Sequence, residues 1–363
     1  MFDPGRCKFR AILMIAMGLL MGSVLPLGAV DFGEYKQSSE KSVKQKQIQV
    51  EPEKLWSGQG ESLRFEVTSF QEDVLWVVAD SKKIHLQTGL TGGLLPGAFS
   101  KRIPGEIYEV EISPFPSRPD FVLLSVFYKH GPNFRTTLYG IQPGENRFQL
   151  REIRTFDLKL VRPVDGRLYQ QGIPPGELWK DAIYHVKTGG QFEVSSAPLP
   201  FTGEPRLTSL VQHNNGKWVY LDNNGSMHYV DGKTILDEVD SQYGTLNKII
   251  KSGRSDRSRE SLRLAPVLLG NGDLLAVAKN SSYRGGAQQM FTEQQAGFLE
   301  LFQVNNQSLV SVETFGQQAD RILDVETSHL NPNQLLWLAK TGPGEVALMM
   351  ADFSHLNTSR AGN

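Results

Sequence analysis

From Leu63 onward, apolar residues come in short runs or alternate with polar ones, and clusters of turn-forming residues separate the runs. The clearest unit is LAPVLLGNGDLLAVAK, residues 264–279. Leu264, Val267, Leu268 and Leu269 lead into Gly270-Asn271-Gly272-Asp273, and a second apolar segment follows from Leu274 to Ala278. Two apolar runs about a short Gly/Asn/Asp turn predict a β-hairpin. Comparable runs lie at 63–67, 74–79, 108–112, 121–128, 137–141, 156–161, 183–186, 218–221, 227–230, 298–304, 335–339 and 346–350. No long window carries a 3.6-residue apolar stripe. Short helical turns are expected only at 175–179 and 236–243.

The hairpins repeat. The strand after each first turn begins near Val74, Phe121, Leu168, Trp218, Leu274 and Leu335, at steps of 47 to 61 residues. KWVYL, Asp222-Asn223-Asn224-Gly225, SMHYV and Asp231-Gly232-Lys233 give three strands joined by two tight turns within one period. About four short strands in each period of roughly 40–60 residues is the pattern of propeller blades. The predicted fold is therefore all-β, a β-propeller of six or seven four-stranded blades. A seventh blade would have to lie within 146–156 or 240–261. The segment 344–353 is expected to supply the last strand, and a strand near 62–68 to close the ring.

The first sixty residues follow another pattern. Arg6, Lys8 and Arg10 precede the apolar run AILMIAMGLLMGSV, Pro26 breaks it, and Leu27-Gly28-Ala29 offers a small-residue processing site. This is the layout of a signal peptide or an uncleaved signal anchor over residues 1–30. An exported protein follows from it, periplasmic or at the cell surface, with the N-terminal segment as its one candidate membrane anchor. Residues 31–60 are rich in Lys, Gln, Ser and Glu and predict a polar linker. The propeller is expected over 61–355 and a flexible tail over 356–363. Cys7, the only cysteine, precedes the apolar run, so the chain beyond residue 30 has no disulfide, thiol nucleophile or cysteine-bound metal.

Residues from about 156 to 353 resemble the FG-GAP/VCBS-type repeat, the β-propeller of integrin α-chain heads and many exported bacterial proteins. The segments that carry the likeness are LAPVLLGNGDLLAVAKN, LTSLVQHNNGKWVYLDN and ILDVETSHLNPNQLLWLAK. In that family the turn often carries several Asp or Asn oxygens that can bind Ca²⁺, a cation that takes six to eight oxygen ligands. Here the best turn offers only Asn271 and Asp273, so no metal or other cofactor is expected, with Asn271/Asp273 the one place for calcium. The resemblance implies a module for adhesion or assembly.

Charge and motifs narrow the chemistry. Lys+Arg number 38 against 39 Asp+Glu, a net charge of −1, which argues against a nucleic-acid partner. The seven histidines show no metal-binding spacing, and there is no nucleophile elbow, P-loop or dinucleotide fingerprint. The carboxylate pairs Asp237/Glu238 and Asp324/Glu326 are expected on solvated strands or turns. Loops on a rigid scaffold are the better leads. KSGRSDRSRE (251–260) is rich in basic charge and reads as a solvated loop, with an acidic partner or an anionic lipid as its sharper reading. Tyr169, Trp179, Tyr283 and Arg284 lie in or beside extended loops and are the candidate binding residues. The expected function is a non-catalytic module, a monomeric propeller that binds a protein or glycan. Two alternatives stand beside it: a polysaccharide hydrolase or lyase with its site at the channel mouth, and a structural component of an envelope complex. Acids, Tyr and Arg gathered on the innermost strands would favour the enzyme.

Overall fold

The computed structural model describes residues 53–354 apart from short loop segments, of which 89–98, 174–181, 252–258 and 284–293 are the longest. The chain divides into Met1–Gln47 and a compact unit, Ile48–Asn363. Among the described residues of that second unit, six antiparallel sheets of four strands form a six-bladed propeller. The expected all-β fold is thus present.

Strand β1 (Glu53–Gln59) comes first in the chain and belongs to the last blade. Blade 1 is β2 (Arg64–Phe70), β3 (Asp73–Ala79), β4 (Lys83–Thr88) and β5 (Phe99–Arg102). Blade 2 is β6 (Glu106–Phe115), β7 (Arg118–His130), β8 (Asn133–Gly144) and β9 (Arg147–Asp157). Blade 3 is β10 (Lys159–Val164), β11 (Arg167–Gly172), β12 (Ile183–Lys187) and β13 (Glu193–Pro198). A 3-10 turn, Leu207–Ser209, leads into blade 4, made of β14 (Leu210–Gln212), β15 (Trp218–Leu221), β16 (Met227–Asp231) and β17 (Thr234–Val239). A separate two-stranded sheet, β18 (Thr245–Lys251) and β19 (Arg259–Arg263), follows. Blade 5 is β20 (Val267–Leu269), β21 (Leu274–Tyr283), β22 (Gln294–Val304) and β23 (Leu309–Ala319). Blade 6 is β24 (Arg321–Thr327), β25 (Gln334–Gly342) and β26 (Glu345–Asp352), completed by β1 on its outer edge.

Three expectations are corrected. The segments held open for a seventh blade are β9 of blade 2 and the β18–β19 hairpin. The ring is closed by Glu53–Gln59 pairing with β26, inside the stretch read as linker, whereas Arg64–Phe70 is the first strand of blade 1. Leu236 lies in a strand, β17, and not in a helical turn. The other predicted helical turn, 175–179, lies outside the described residues.

The six second strands (β3, β7, β11, β15, β21 and β25) begin where the repeat placed them. Local chemistry explains why. Asp165 and Gly166, between β10 and β11, have φ of 47° and 70°, the left-handed pair that a two-residue primed turn needs and that Asp-Gly supplies.

The core lies between blades. Along β3, Leu75, Val77 and Ala79 pack against blade 2, while Val74, Trp76 and Val78 pack against blade 6. Side chains alternate across a strand, so a strand with a neighbour on each face reads as an unbroken apolar run. The same holds between blades 2 and 3, where Leu123, Leu138 and Phe156 meet Val161, Leu168 and Val186.

Candidate functional site: a charged pocket on the propeller axis

The first strands of the blades neighbour one another around the ring: β2 touches β6 and β24, β10 touches β6 and β14, and β20 touches β24. What they turn toward the axis differs from blade to blade. Alternate residues on β2 (Arg64, Glu66), on β6 (Glu109, Glu111) and on β24 (Asp324, Glu326), together with Arg162 on β10, line one axial pocket with Tyr108. Blades 4 and 5 contribute only Thr208, Leu264 and Ala265, from the segments that precede them. The pocket holds about 420 Å³ not filled by protein atoms, continuous with solvent. The centres of water-sized molecules reach about 30 Å³ of it, room for roughly two or three waters.

Both guanidinium groups are pinned. Arg64 Nε donates to Tyr108 O at 3.3 Å and Nη1 to Leu323 O at 3.1 Å, tying blade 1 to blades 2 and 6. Arg162 lies against the two pocket carboxylates of β6: its Nε and Nη2 engage Glu111, and Nε is 3.4 Å from Glu109 Oε1. Its Nη1 donates to Leu207 O and Leu210 O at 2.9 and 3.3 Å. Gln171 holds that acceptor segment still, donating to Pro205 O at 3.0 Å and accepting from Leu207 N at 2.9 Å.

The acids are anchored from the backbone. Asp324 Oδ2 accepts from Phe65 N at 3.0 Å and Oδ1 from Val325 N at 3.1 Å. Blade 5 sets the start of β24: Asn280 donates to Ile322 O at 2.9 Å and accepts from Ile322 N at 2.8 Å. Gly297 admits this approach, because a Cβ there would fall 2.6 Å from Ile322 N.

Five carboxyls against two guanidiniums leave the pocket with an excess of acid, and burial raises every carboxyl pKa. Burial and then the Glu326 carboxylate hold Glu66 well above the usual range. Glu326 is raised by burial and by Glu111 and Asp324, and it hydrogen-bonds Glu66. Burial lifts Glu109 to about 8 against the pull of Arg162, and Asp324 to about 6 against that of Arg64. Glu111 is raised by burial and steadied by Arg162. Near neutral pH the pocket therefore holds protons on some carboxyls and charge on others.

Asp324 and Glu326 thus line the axial pocket and not a freely solvated strand or turn, contrary to the expectation from sequence; Asp324 is 8% exposed and Glu326 is partly buried. The signal was present in the alternation Arg64-x-Glu66, Glu109-x-Glu111 and Asp324-x-Glu326. It becomes meaningful only once the three strands are known to be the innermost of their blades. Among the loop candidates, Tyr169 lies on β11, 2% exposed, with its ring against His185 and Trp218. Tyr283 ends β21, but its side chain, with all of Trp179 and Arg284, lies outside the described residues. Asp273 lies in the turn between β20 and β21, and Asn271 lies outside the described residues. No helix among the described residues is long and apolar enough to cross a membrane.

No family model matches the chain, and no curated protein does. Among solved structures it is similar to a chain of the crystal structure of the mitotic checkpoint complex. That match has 9% identity and a TM-score of 0.45, over 90% of this chain and 98% of the other. A candidate glycoside hydrolase from Parabacteroides distasonis ATCC 8503 matches at 10% identity and a TM-score of 0.35, over 81% and 88% of the two chains. Trypanosoma rangeli sialidase, in complex with the inhibitor DANA, matches at 10% identity and a TM-score of 0.42. The match covers 83% of this chain and 56% of the sialidase, so the chain spans a little over half of that protein. At these identities the likeness concerns the propeller shape alone.

Proposed function

We propose that the protein is a glycan-cleaving enzyme whose acid–base groups are the carboxyls of the axial pocket. The observation that carries this reading is the convergence of Glu66, Glu109, Glu111, Asp324 and Glu326 with Arg64 and Arg162 on one pocket. Glycosidic bonds are cleaved by two carboxyl groups, one protonated and one ionised. Groups whose surroundings push their pKa values apart fill those two roles. Glu66 and Glu326, hydrogen-bonded to each other and raised well above the ordinary range, hold the proton that passes to the leaving oxygen. Asp324, anchored by two backbone amides and less strongly raised, is the ionised partner. Room for a few waters supplies the second reactant, and the glycosidic oxygen has to come within hydrogen-bond reach of these carboxyls.

The proposed setting is outside the cytoplasm, after the basic and apolar N-terminal segment, with the protein working as a single propeller. The repeats are read as a divergent FG-GAP/VCBS type, on turn rhythm alone. The test is release of reducing ends from a panel of neutral and charged polysaccharides. Glu66→Gln, Glu326→Gln and Asp324→Asn are each expected to lower the rate about 10²–10⁴-fold. Failure of the unaltered protein to cleave any of them, or an undiminished rate in all three variants, overturns the reading. Binding without cleavage would return the function to a non-catalytic module.

A further inference from the structure

Three backbone segments meet where blade 1 adjoins blade 2: the turn from β3 to β4, the link from β5 to β6, and the end of β7. Ile103 N donates to Lys82 O and Ile107 N to Ser81 O, both at 2.8 Å. Glu106 pairs with Lys129, and a Cβ on Gly105 would fall 2.1 Å from Lys129 O, so the link lies hard against β7. The platform so formed carries Lys82, Lys83, Lys101, Arg102 and Lys129 against Asp80 and Glu106. That is five positive charges and two negative, +3 in a chain whose total is −1.

Both acids are held within the fold. Asp80 Oδ1 accepts from Lys82 N and Lys83 N at 2.8 Å, and Glu106 Oε2 accepts from the Tyr108 hydroxyl at 3.0 Å. The bases face outward. Lys82, Lys83 and Arg102 are exposed, and none of the five is in an ion pair among the described residues. Lys101 Nζ and Lys129 Nζ lie over the rings of Tyr139 and Phe134, 4.7 and 5.6 Å from their centres, which holds two of the charges in place. The register sets Lys83 directly opposite Arg102. Like charges facing each other across two strands are destabilising, so folding alone does not favour this arrangement.

Its position connects the platform to the pocket. Arg64 is the first residue of β2, Tyr108 the third of β6, and Thr208, Leu264 and Ala265 precede β14 and β20; all of them line the pocket. The pocket therefore reaches the end of the propeller where the inner strands begin, and β6 begins at Glu106 on the platform. The five bases run inward from β5, the outer strand of blade 1, to β7, the strand next to β6. A row of positive charge thus leads from the rim toward the pocket.

We infer that this platform is a binding site, beside the pocket and separate from it, for a polysaccharide that bears carboxylate or sulfate groups. The choice of a glycan among polyanions rests on the proposed cleavage at the pocket, but the binding itself is measured without it. The surface selects the class. A row of charge suits a linear polyanion, which meets one base after another and is drawn in by their summed field. An acidic protein would need an apolar centre to its interface, and the apolar residues here, Ile84, Ile103 and Ile107, are buried. A nucleic acid running on from the platform would set its anionic phosphates against the carboxyls of the pocket. In an acidic polysaccharide the acetal oxygens are neutral, so the charged groups can lie on the platform while a neutral linkage faces the acids.

The test measures binding of the full-length chain to polygalacturonate, dextran sulfate, unmodified dextran, polyglutamate and duplex DNA, at low and at moderate salt. The parent is compared with Lys83→Gln/Arg102→Gln on the platform and with Arg151→Gln/Lys187→Gln, which removes two exposed charges elsewhere. Thermal unfolding of both variants is first checked to be no lower than that of the parent. The expected result is binding of one or both anionic polysaccharides at least about tenfold tighter than of dextran, weakening as salt rises. The platform variant should lose about tenfold or more of that affinity, and the other variant less than about twofold. The carboxylate and sulfate arms show which anionic group is read. Equal binding of dextran, tighter binding of polyglutamate or DNA, or equal losses in the two variants overturns the inference. Anionic chains held by the platform but never cut overturn the cleavage reading and leave the platform standing. Cleavage of dextran, with the platform variant fully active and no anionic chain bound, does the reverse.

Discussion

Two sectors of the same channel are built from the same repeat and do different things. In blades 6, 1, 2 and 3 the first strand turns charged side chains toward the axis, and bonds between blades run through those groups. Arg64 reaches Leu323 O and Tyr108 O, Asp324 takes the Phe65 amide, and Arg162 spans Glu109, Glu111 and Leu207 O. In blades 4 and 5 the first strands are the three-residue segments LVQ and VLL. There the blades are joined mainly through turns and outer strands: His213 Nε2 to Gly272 O at 2.7 Å, Gly270 N to Pro332 O at 2.6 Å, Leu309 N donating to Asp237 Oδ2 at 2.7 Å and Lys217 Nζ donating to Asn306 O. A charge left partly in solvent, as at Asp237 and Lys217, costs little to desolvate, whereas a buried charge is costly unless it is paired. The difference teaches that the charged sector carries a desolvation cost that the other sector avoids, which is what the proposed site would require.

That comparison can be broken most sharply at Arg162. Arg162→Met leaves Glu111 without its counter-charge and is expected to lose about 3–5 kcal/mol in urea unfolding at neutral pH. The loss should shrink in acid, where Glu111 protonates. An equal loss at both pH values would mean that Arg162 acts by packing alone.

The anchor of the charged strand comes next. Asn280→Ala leaves the buried amide and carbonyl of Ile322 unsatisfied, at about 1–3 kcal/mol for each group. It should also lower catalysis by displacing Asp324 and Glu326. A rate unchanged per folded molecule would separate the anchor from the site.

The pH profile of stability distinguishes the sectors without mutation. Glu109 and Asp324 have folded pKa values raised to about 8 and about 6, above those of the unfolded chain. Their contribution is complete below the unfolded values and is lost as pH climbs through 6 and 8. Thermal unfolding should therefore fall in temperature between about pH 5 and pH 8. In Glu109→Gln/Asp324→Asn that decline should flatten. A profile that rises over this window in the unaltered protein would contradict the charge assignment.

The smallest effect belongs to blades 4 and 5. His213→Ala removes one bond between turns, and a loss of about 1 kcal/mol is expected with no change in the rate of cleavage. A larger fall in rate would place the turns of blades 4 and 5 in the site as well.

Architecture was legible because hairpins are local. Asp165-Gly166 dictates its own turn, and the six second strands announce themselves as apolar runs after turn residues. The closing strand was not legible. EKLWSGQ is mostly polar, as an outer edge can be, and its place depends on backbone pairing with β26, almost at the other end of the chain. The loop candidates chosen for aromatic content fared differently: Tyr169 serves the packing between blades. Of the pocket acids only Asp324 and Glu326 were seen as a pair, and they were assigned to solvent, since one strand does not show which of its faces meets the axis.

By itself, then, the sequence determined the all-β class, the repeat and the tight turns, each set by residues within a few positions of one another. The tertiary structure alone decided that Asp324 meets Phe65, a residue 259 positions away, and that Glu66 and Glu326 share one pocket. The physical reason is that a carboxyl's pKa and its chemistry depend on what surrounds it. Here the surroundings exist only once the ring has closed.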